Sequence, residues 1–200
     1  MKMLIISFTR RAAAFFAIAV AFMLIAGVRT DAQRRDFLTD AETEIVRDSQ
    51  DIDMRVDVLT KMIDRRFAAL KIDVGGWKPP AKQSGTWGDE PAGTRLQLLT
   101  DIKRLLQKAV DDIDDVSEHD ANAQTQNKTT GKLFPKAVRS LSAAASRYSP
   151  VLKNAVKSVD PKSEEAEKER GTMLDSIDLC DQIIEAAAKI PAELKEKKKS

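Results

Sequence analysis

The chain of 200 residues carries 33 basic and 31 acidic side chains but a single histidine and a single cysteine. An internal disulfide, a Cys-x-x-Cys-His haem attachment and a cysteine–histidine zinc cluster are therefore excluded. The near balance of charge also withholds the basic surface that nucleic-acid binding needs.

Residues 1–32 read as a targeting segment. Lys2, Arg10 and Arg11 precede an uncharged apolar run from Ala12 to Val28, and Thr30 and Ala32 supply the small residues of a cleavage site. The spacing predicts a signal peptide cleaved after Ala32. The run also approaches the ~20 residues that span a bilayer, so an uncleaved anchor is the alternative. Either way the basic residues stay inside and the body is exported, periplasmic or extracellular. The segment holds four basic groups (Lys2, Arg10, Arg11, Arg29) and one acid (Asp31), leaving 29 basic and 30 acidic groups in the remainder. The basic balance of the full chain belongs to its first residues.

Thr39 followed by Glu42 has the capping-box spacing and predicts a short helix from Asp40 to about Ser49. Next, Ile52, Val56, Leu59, Ile63, Phe67 and Leu70 recur in steps of three and four, the mark of a helix packed on one side. The glycines and prolines of residues 74–93 break any helix, and that loop holds both tryptophans, Trp77 and Trp87. Their rings can seal one end of a bundle or offer an aromatic platform to a sugar or peptide. Packing is preferred, because tryptophan contributes large burial wherever it fits.

Thr94 and Gln97 repeat the capping-box pattern ahead of a seam of Leu99, Ile102, Leu106, Ala109, Ile113 and Val116. After a polar link, Phe134, Val138, Leu141, Ala145, Tyr148, Leu152, Ala155 and Val159 form a third stripe. Pro150 within it should kink or break the helix near Ser149. Asp160-Pro161 predicts the last start, and Ala166, Met173, Ile177, Cys180, Ile184 and Ala187 the last face, with Arg170 intruding on it. Cys180 on that face reads as a buried small apolar residue.

These elements predict an all-α fold: an up-down antiparallel four-helix bundle with a short N-terminal helix, preceded by the signal peptide. One domain should span residues 33–194, with a basic tail at 195–200. The stretches FLTDAETEIVRDSQDIDMRVDVLTKMIDRRFAAL and WGDEPAGTRLQLLTDIKRLLQKAVDDIDDV, within about Phe37 to Val159, resemble a group of exported bacterial helical proteins to which no activity is attached. That resemblance implies an exported helical fold and no particular chemistry. Leu38-Thr39-Asp40-Ala41-Glu42 is similar to the Leu-Thr-x-x-Gln opening of periplasmic helical chaperones, with Glu in place of the Gln.

DDIDDVSEHD, residues 111–120, is the one stretch suggestive of chemistry. On a helix Asp112, Asp115 and His119 share a side and could hold a divalent ion weakly. Di-iron bundles need two Glu-x-x-His pairs, and a calcium loop needs alternating acids around a glycine; neither pattern occurs. The preferred reading is a charge-matched helix end. The acids oppose the helix dipole, and Lys128, Lys132, Lys136, Arg139, Arg55 and the lysine tail are expected to offset them. No Gly-x-Ser-x-Gly, phosphate loop or dinucleotide fingerprint is present. The sequence thus predicts a non-enzymatic protein without cofactor that has an interaction or structural role in the cell envelope. Its partner would be a protein or envelope component, with no nucleic acid, and the membrane would be met only through the N-terminal segment if uncleaved. A chaperone-like binder and a weak metal binder are the alternatives.

Overall fold

The computed structural model describes residues 36–77, 87–119, 126–127, 131–160 and 162–190, and those from Phe37 onward belong to a single unit. The signal segment of residues 1–32 and the tail of 195–200 lie outside the described residues. The elements are α1 (Asp40–Asp48), α2 (Ile52–Ala69), α3 (Arg95–His119), β1 (Gln126–Asn127), β2 (Gly131–Lys132), α4 (Leu133–Ser158) and α5 (Glu164–Ala188). β1 and β2 form an antiparallel ladder inside the polar link, with Gln126 opposite Lys132. It is too short to make a layer, and the architecture is a four-helix bundle with α1 added.

Both capping boxes form. Thr39 Oγ1 accepts from the Glu42 N–H at 3.2 Å, and Glu42 Oε2 accepts from the Thr39 N–H at 3.1 Å. Thr94 and Gln97 exchange the same two bonds at 3.2 and 2.8 Å. α2 ends with Lys71 in the left-handed region (φ 60°). The Lys71 N–H donates to Ala68 O and the Ile72 N–H to Phe67 O, both at 2.9 Å. This is the Schellman stop, made here with lysine where glycine is usual.

The stripes meet in one core. Val56, Leu59, Ile63 and Phe67 of α2 pack with Leu99, Ile102 and Leu106 of α3, Leu141, Tyr148 and Leu152 of α4, and Met173, Ile177 and Cys180 of α5. Ile183, rather than Ile184, is the buried residue of the last turns, and Arg170 points to solvent.

Three details depart from the sequence reading. First, α4 runs unbroken through Pro150. Pro150 is exposed, so the carbonyl that its missing N–H leaves unpaired faces water, while Tyr148 and Leu152 on the opposite face are fully buried. Second, α5 is capped by Ser163, whose hydroxyl accepts from the Ala166 N–H at 3.2 Å; Asp160 instead pairs with Lys162. Pro161 is outside the described residues. Third, the cations expected at the acidic helix end are partly engaged elsewhere. Lys136 Nζ binds Asp53 Oδ2 of α2 at 2.5 Å, and Arg55 Nε donates to Ser49 O at 3.0 Å. Lys128 and the lysine tail lie outside the described residues, as does the Lys132 side chain.

The helices alternate up and down along the chain, yet the ring is not a simple meander. α2 lies beside α3 and α4, α5 lies beside α3 and α4, and the consecutive pair α3 and α4 face each other across the diagonal. Ion pairs give the directions. Asp53 and Asp64 of α2 meet Lys136 and Arg147 of α4 in the same order. Arg95 and Lys103 of α3 meet Glu169 and Asp175 of α5 in the same order. Both are pairs of parallel neighbours. α3 and α4, which the polar link of residues 120–132 joins in sequence, are thus antiparallel helices on one diagonal of the bundle.

Candidate functional site

The two ends of the bundle differ. At the C-terminal end of α2, polar residues follow one another into the interior: Asp64, Arg65 and Arg66 are 3%, 4% and 1% exposed. They are covered because α1 and the chain on either side of the 78–86 segment fold over the outer face of α2. Glu42, fully buried on α1, is the hub. Its Oε1 accepts from Arg65 Nη1 at 2.6 Å and from Arg66 Nη1 at 2.5 Å, and its Oε2 accepts from Arg66 Nη2 at 2.6 Å. Arg66 Nη2 also donates to Phe37 O at 2.7 Å and Arg65 Nη2 to Asp89 O at 2.6 Å. One carboxylate thus serves two guanidiniums in a site shielded from water. Burial lowers the Arg65 pKa, Glu42 opposes that shift and Arg66 adds to it. The Arg66 Nε is buried with no hydrogen-bond partner.

The tryptophans belong to this cluster. The Arg65 guanidinium lies 5.6 Å from the Trp77 ring and 5.6 Å from the Trp87 ring, and the two rings meet edge to face at 5.4 Å. Both are half-buried. Each ring lies against this internal cation, a contact worth roughly 0.5–2 kcal/mol between exposed and desolvated settings.

Beside it sits a second buried acid. Asp64 Oδ1 accepts from the Tyr148 hydroxyl at 2.6 Å, with Thr60 O at 3.2 Å as the alternative acceptor of that hydrogen. Arg147 approaches the Asp64 carboxylate at 3.4 Å and donates to Val74 O at 2.7 Å. Burial raises the Asp64 pKa, against the opposing Tyr148 and Arg147 bonds. Burial also raises that of Tyr148, and the Asp64 charge adds to it. Gly76 lies directly over the pair: a Cβ there would fall 1.8 Å from Asp64 Oδ2 and 2.3 Å from Arg147 Nη1. A cavity of about 240 Å³ adjoins, lined by Asp64, Lys71, Asp73 and Trp77 among others. Each buried acid here is answered by a fixed donor, and Arg65 and Arg147 tie Asp89 and Val74 of the flanking chain to the bundle.

Among the described residues, the opposite end carries a groove. Arg95–Glu169 at 3.2 Å and Lys103–Asp175 at 2.6 Å hold α3 and α5 together over their N-terminal halves. Beyond them a groove of about 390 Å³ opens between the C-terminal halves. Val110 and Ile113 line it from α3, Phe134, Val138 and Leu141 from α4, and Leu179 and Ile183 from α5, with Gln107, Asp114 and Gln182 at its edges.

The acidic stretch forms one side of this end. Asp111, Asp114, Asp115 and Glu118 are exposed, and Asp112 is partly buried. Asp111 accepts from Gln107 at 2.8 Å and Asp112 from Lys108 at 3.0 Å, both within α3. Asp112 and Asp115 lie on α3 as expected, and the His119 side chain is outside the described residues. Among the described residues no group of three or more metal-ligating side chains is assembled. Cys180 is buried and unpaired, its thiol pushed up to about 12 first by burial and then by Asp181.

Sequence reasoning missed the Glu42–Arg65–Arg66 hub and the groove. A signal for the first exists. Leu59, Met62, Arg66 and Ala69 step by three, four and three, so Arg66 stands in line with an apolar stripe. For the second there is none, because an apolar stripe reads alike whether it is covered or left open. No family model, curated protein or solved structure matches this chain.

Proposed function

We propose that the protein is exported and non-enzymatic, and acts in the cell envelope by holding another protein or envelope component. The supporting observation is the asymmetry of the bundle. One end is locked by the Glu42 hub and the Arg65–tryptophan stack, while at the other, among the described residues, apolar side chains of three helices line a groove. A helical body with an apolar recess suits recognition. Export rests on the order of charge, apolar run and small residues in 1–32, and an intact mass of the exported protein that begins at Gln33 is the expected result.

Crosslinking in envelope extract followed by pull-down tests the interaction. The same neighbour should be retained in repeated experiments. If none is retained and the protein instead keeps an unfolded client from aggregating, it is a chaperone-like binder. If calcium, zinc or iron raises its melting temperature, and Asp112→Asn with Asp115→Asn abolishes the rise, it is a metal binder through Asp112, Asp115 and His119.

A further inference from the structure

The groove has a definite chemistry. On α3, Gln107, Asp111, Asp114 and Glu118 step by four, three and four, so the polar crest of that wall carries three acids beside one amide. Gln107 and Asp114 of this crest line the groove. On α5, Gln182 lines the groove, and its neighbours one turn away are Asp178 and Glu185. The rim cation Lys189 is held by Glu185 at 3.1 Å. Apolar walls under an acidic rim fit a ligand that is apolar on one side and basic on its flanks.

The dimensions select its form. From Gln107 to Asp114 the α3 wall rises about 10 Å, and from Leu179 to Ile190 the α5 wall rises about 16 Å, at 1.5 Å per residue. Two to three helical turns fit that length, enough for apolar anchors at i, i+3 or i+4 and i+7. The floor comes from α4, whose Val138 and Leu141 are nearly buried, so the partner's apolar anchors, and not its backbone, would enter the recess.

We infer that the groove between α3 and α5 is the docking site for a basic amphipathic helix of a partner protein. This rests on the interaction reading above and gives it a place and a partner chemistry. The acidic rim steers the partner and sets its orientation, and the apolar floor holds it.

The test uses the purified full chain and three synthetic peptides, followed by fluorescence anisotropy. The first is a leucine–lysine amphipathic helix of three to four turns, the second replaces its lysines with glutamates, and the third carries a central proline. The first alone should bind. Ala186 is exposed at the groove, so Ala186→Trp fills the recess without entering the core, and binding should fall by about tenfold or more. Asp111→Lys with Asp114→Lys should weaken binding by an amount that shrinks as salt rises. Equal binding by wild type and Ala186→Trp, or equal binding of the glutamate peptide, overturns the assignment. Equal binding of the proline peptide also overturns it, in favour of an extended client. Binding only after removal of residues 191–200 overturns it in favour of the chain's own basic tail. The pull-down separates the two levels. A neighbour retained equally by wild type and Ala186→Trp leaves the interaction reading standing while the groove falls; a neighbour retained by neither removes both.

Discussion

Removing the Glu42 carboxylate is the sharpest perturbation of this fold. In Glu42→Ala the two guanidiniums of Arg65 and Arg66 lose three charge-assisted bonds, of 2.6, 2.5 and 2.6 Å, and the Thr39 N–H loses its acceptor. Neither arginine can turn to solvent without unseating α1 or the tryptophans, since they are only 4% and 1% exposed. Breaking a buried ion pair by deleting one partner costs about 3–5 kcal/mol, because the surviving charge stays desolvated. For a chain of this size each kcal/mol lowers the melting temperature by about 2–4 °C, so a fall of about 6–20 °C is expected. Thermal melts followed by circular dichroism measure it. Tryptophan emission gives a local readout, because both tryptophans of the chain touch Arg65. Arg66→Met should cost far less in a Glu42→Met background than alone, since the cluster then leaves as a unit. An unchanged melting temperature with unchanged tryptophan emission in Glu42→Ala would refute the hub.

Three further outcomes are expected. Asp64 has a folded pKa raised above its unfolded value, so the folded state holds the proton more tightly, and stability falls as pH rises through the interval between the two values. Asp64→Asn should flatten that dependence in urea titrations at a series of pH values; the same slope in both proteins would show that other groups set it. Gly76→Ala should displace the 74–77 segment, because its Cβ would fall 1.8 Å from Asp64 Oδ2, and altered tryptophan emission with a lowered melting temperature is the measurement. Pro150→Ala restores a backbone donor within α4 at an exposed position and should stabilise by up to about 3 kcal/mol, seen as a raised urea midpoint.

The seams were legible because burial on one side of a helix writes itself as steps of three and four. Val56, Leu59, Ile63 and Phe67 could be read directly, as could both capping boxes, whose partners lie three residues apart. Glu42 shows where such reading stops. Its capping-box role accounts for it locally, and nothing nearby records that its other oxygen serves arginines 23 and 24 positions away. Pro150 shows the opposite failure: a strong local rule was overruled because the residue faces water while Tyr148 and Leu152 hold the helix on the core side. The order of helices around the ring was hidden because periodicity identifies a buried face and leaves its neighbour unspecified.

The same four apolar faces could close into a plain meander with α4 beside α3, and leucines and alanines distinguish the two arrangements poorly. The charges distinguish them well. Asp53 and Asp64 find Lys136 and Arg147 at matching heights only if α2 and α4 run side by side in one direction, and Arg95 and Lys103 find Glu169 and Asp175 only if α3 and α5 do. These pairs work as address labels that choose one wiring of the bundle over its near-degenerate twin. A chain with the signs at Asp53 and Lys136 exchanged should keep its address, whereas one reversed on a single helix should favour it by less.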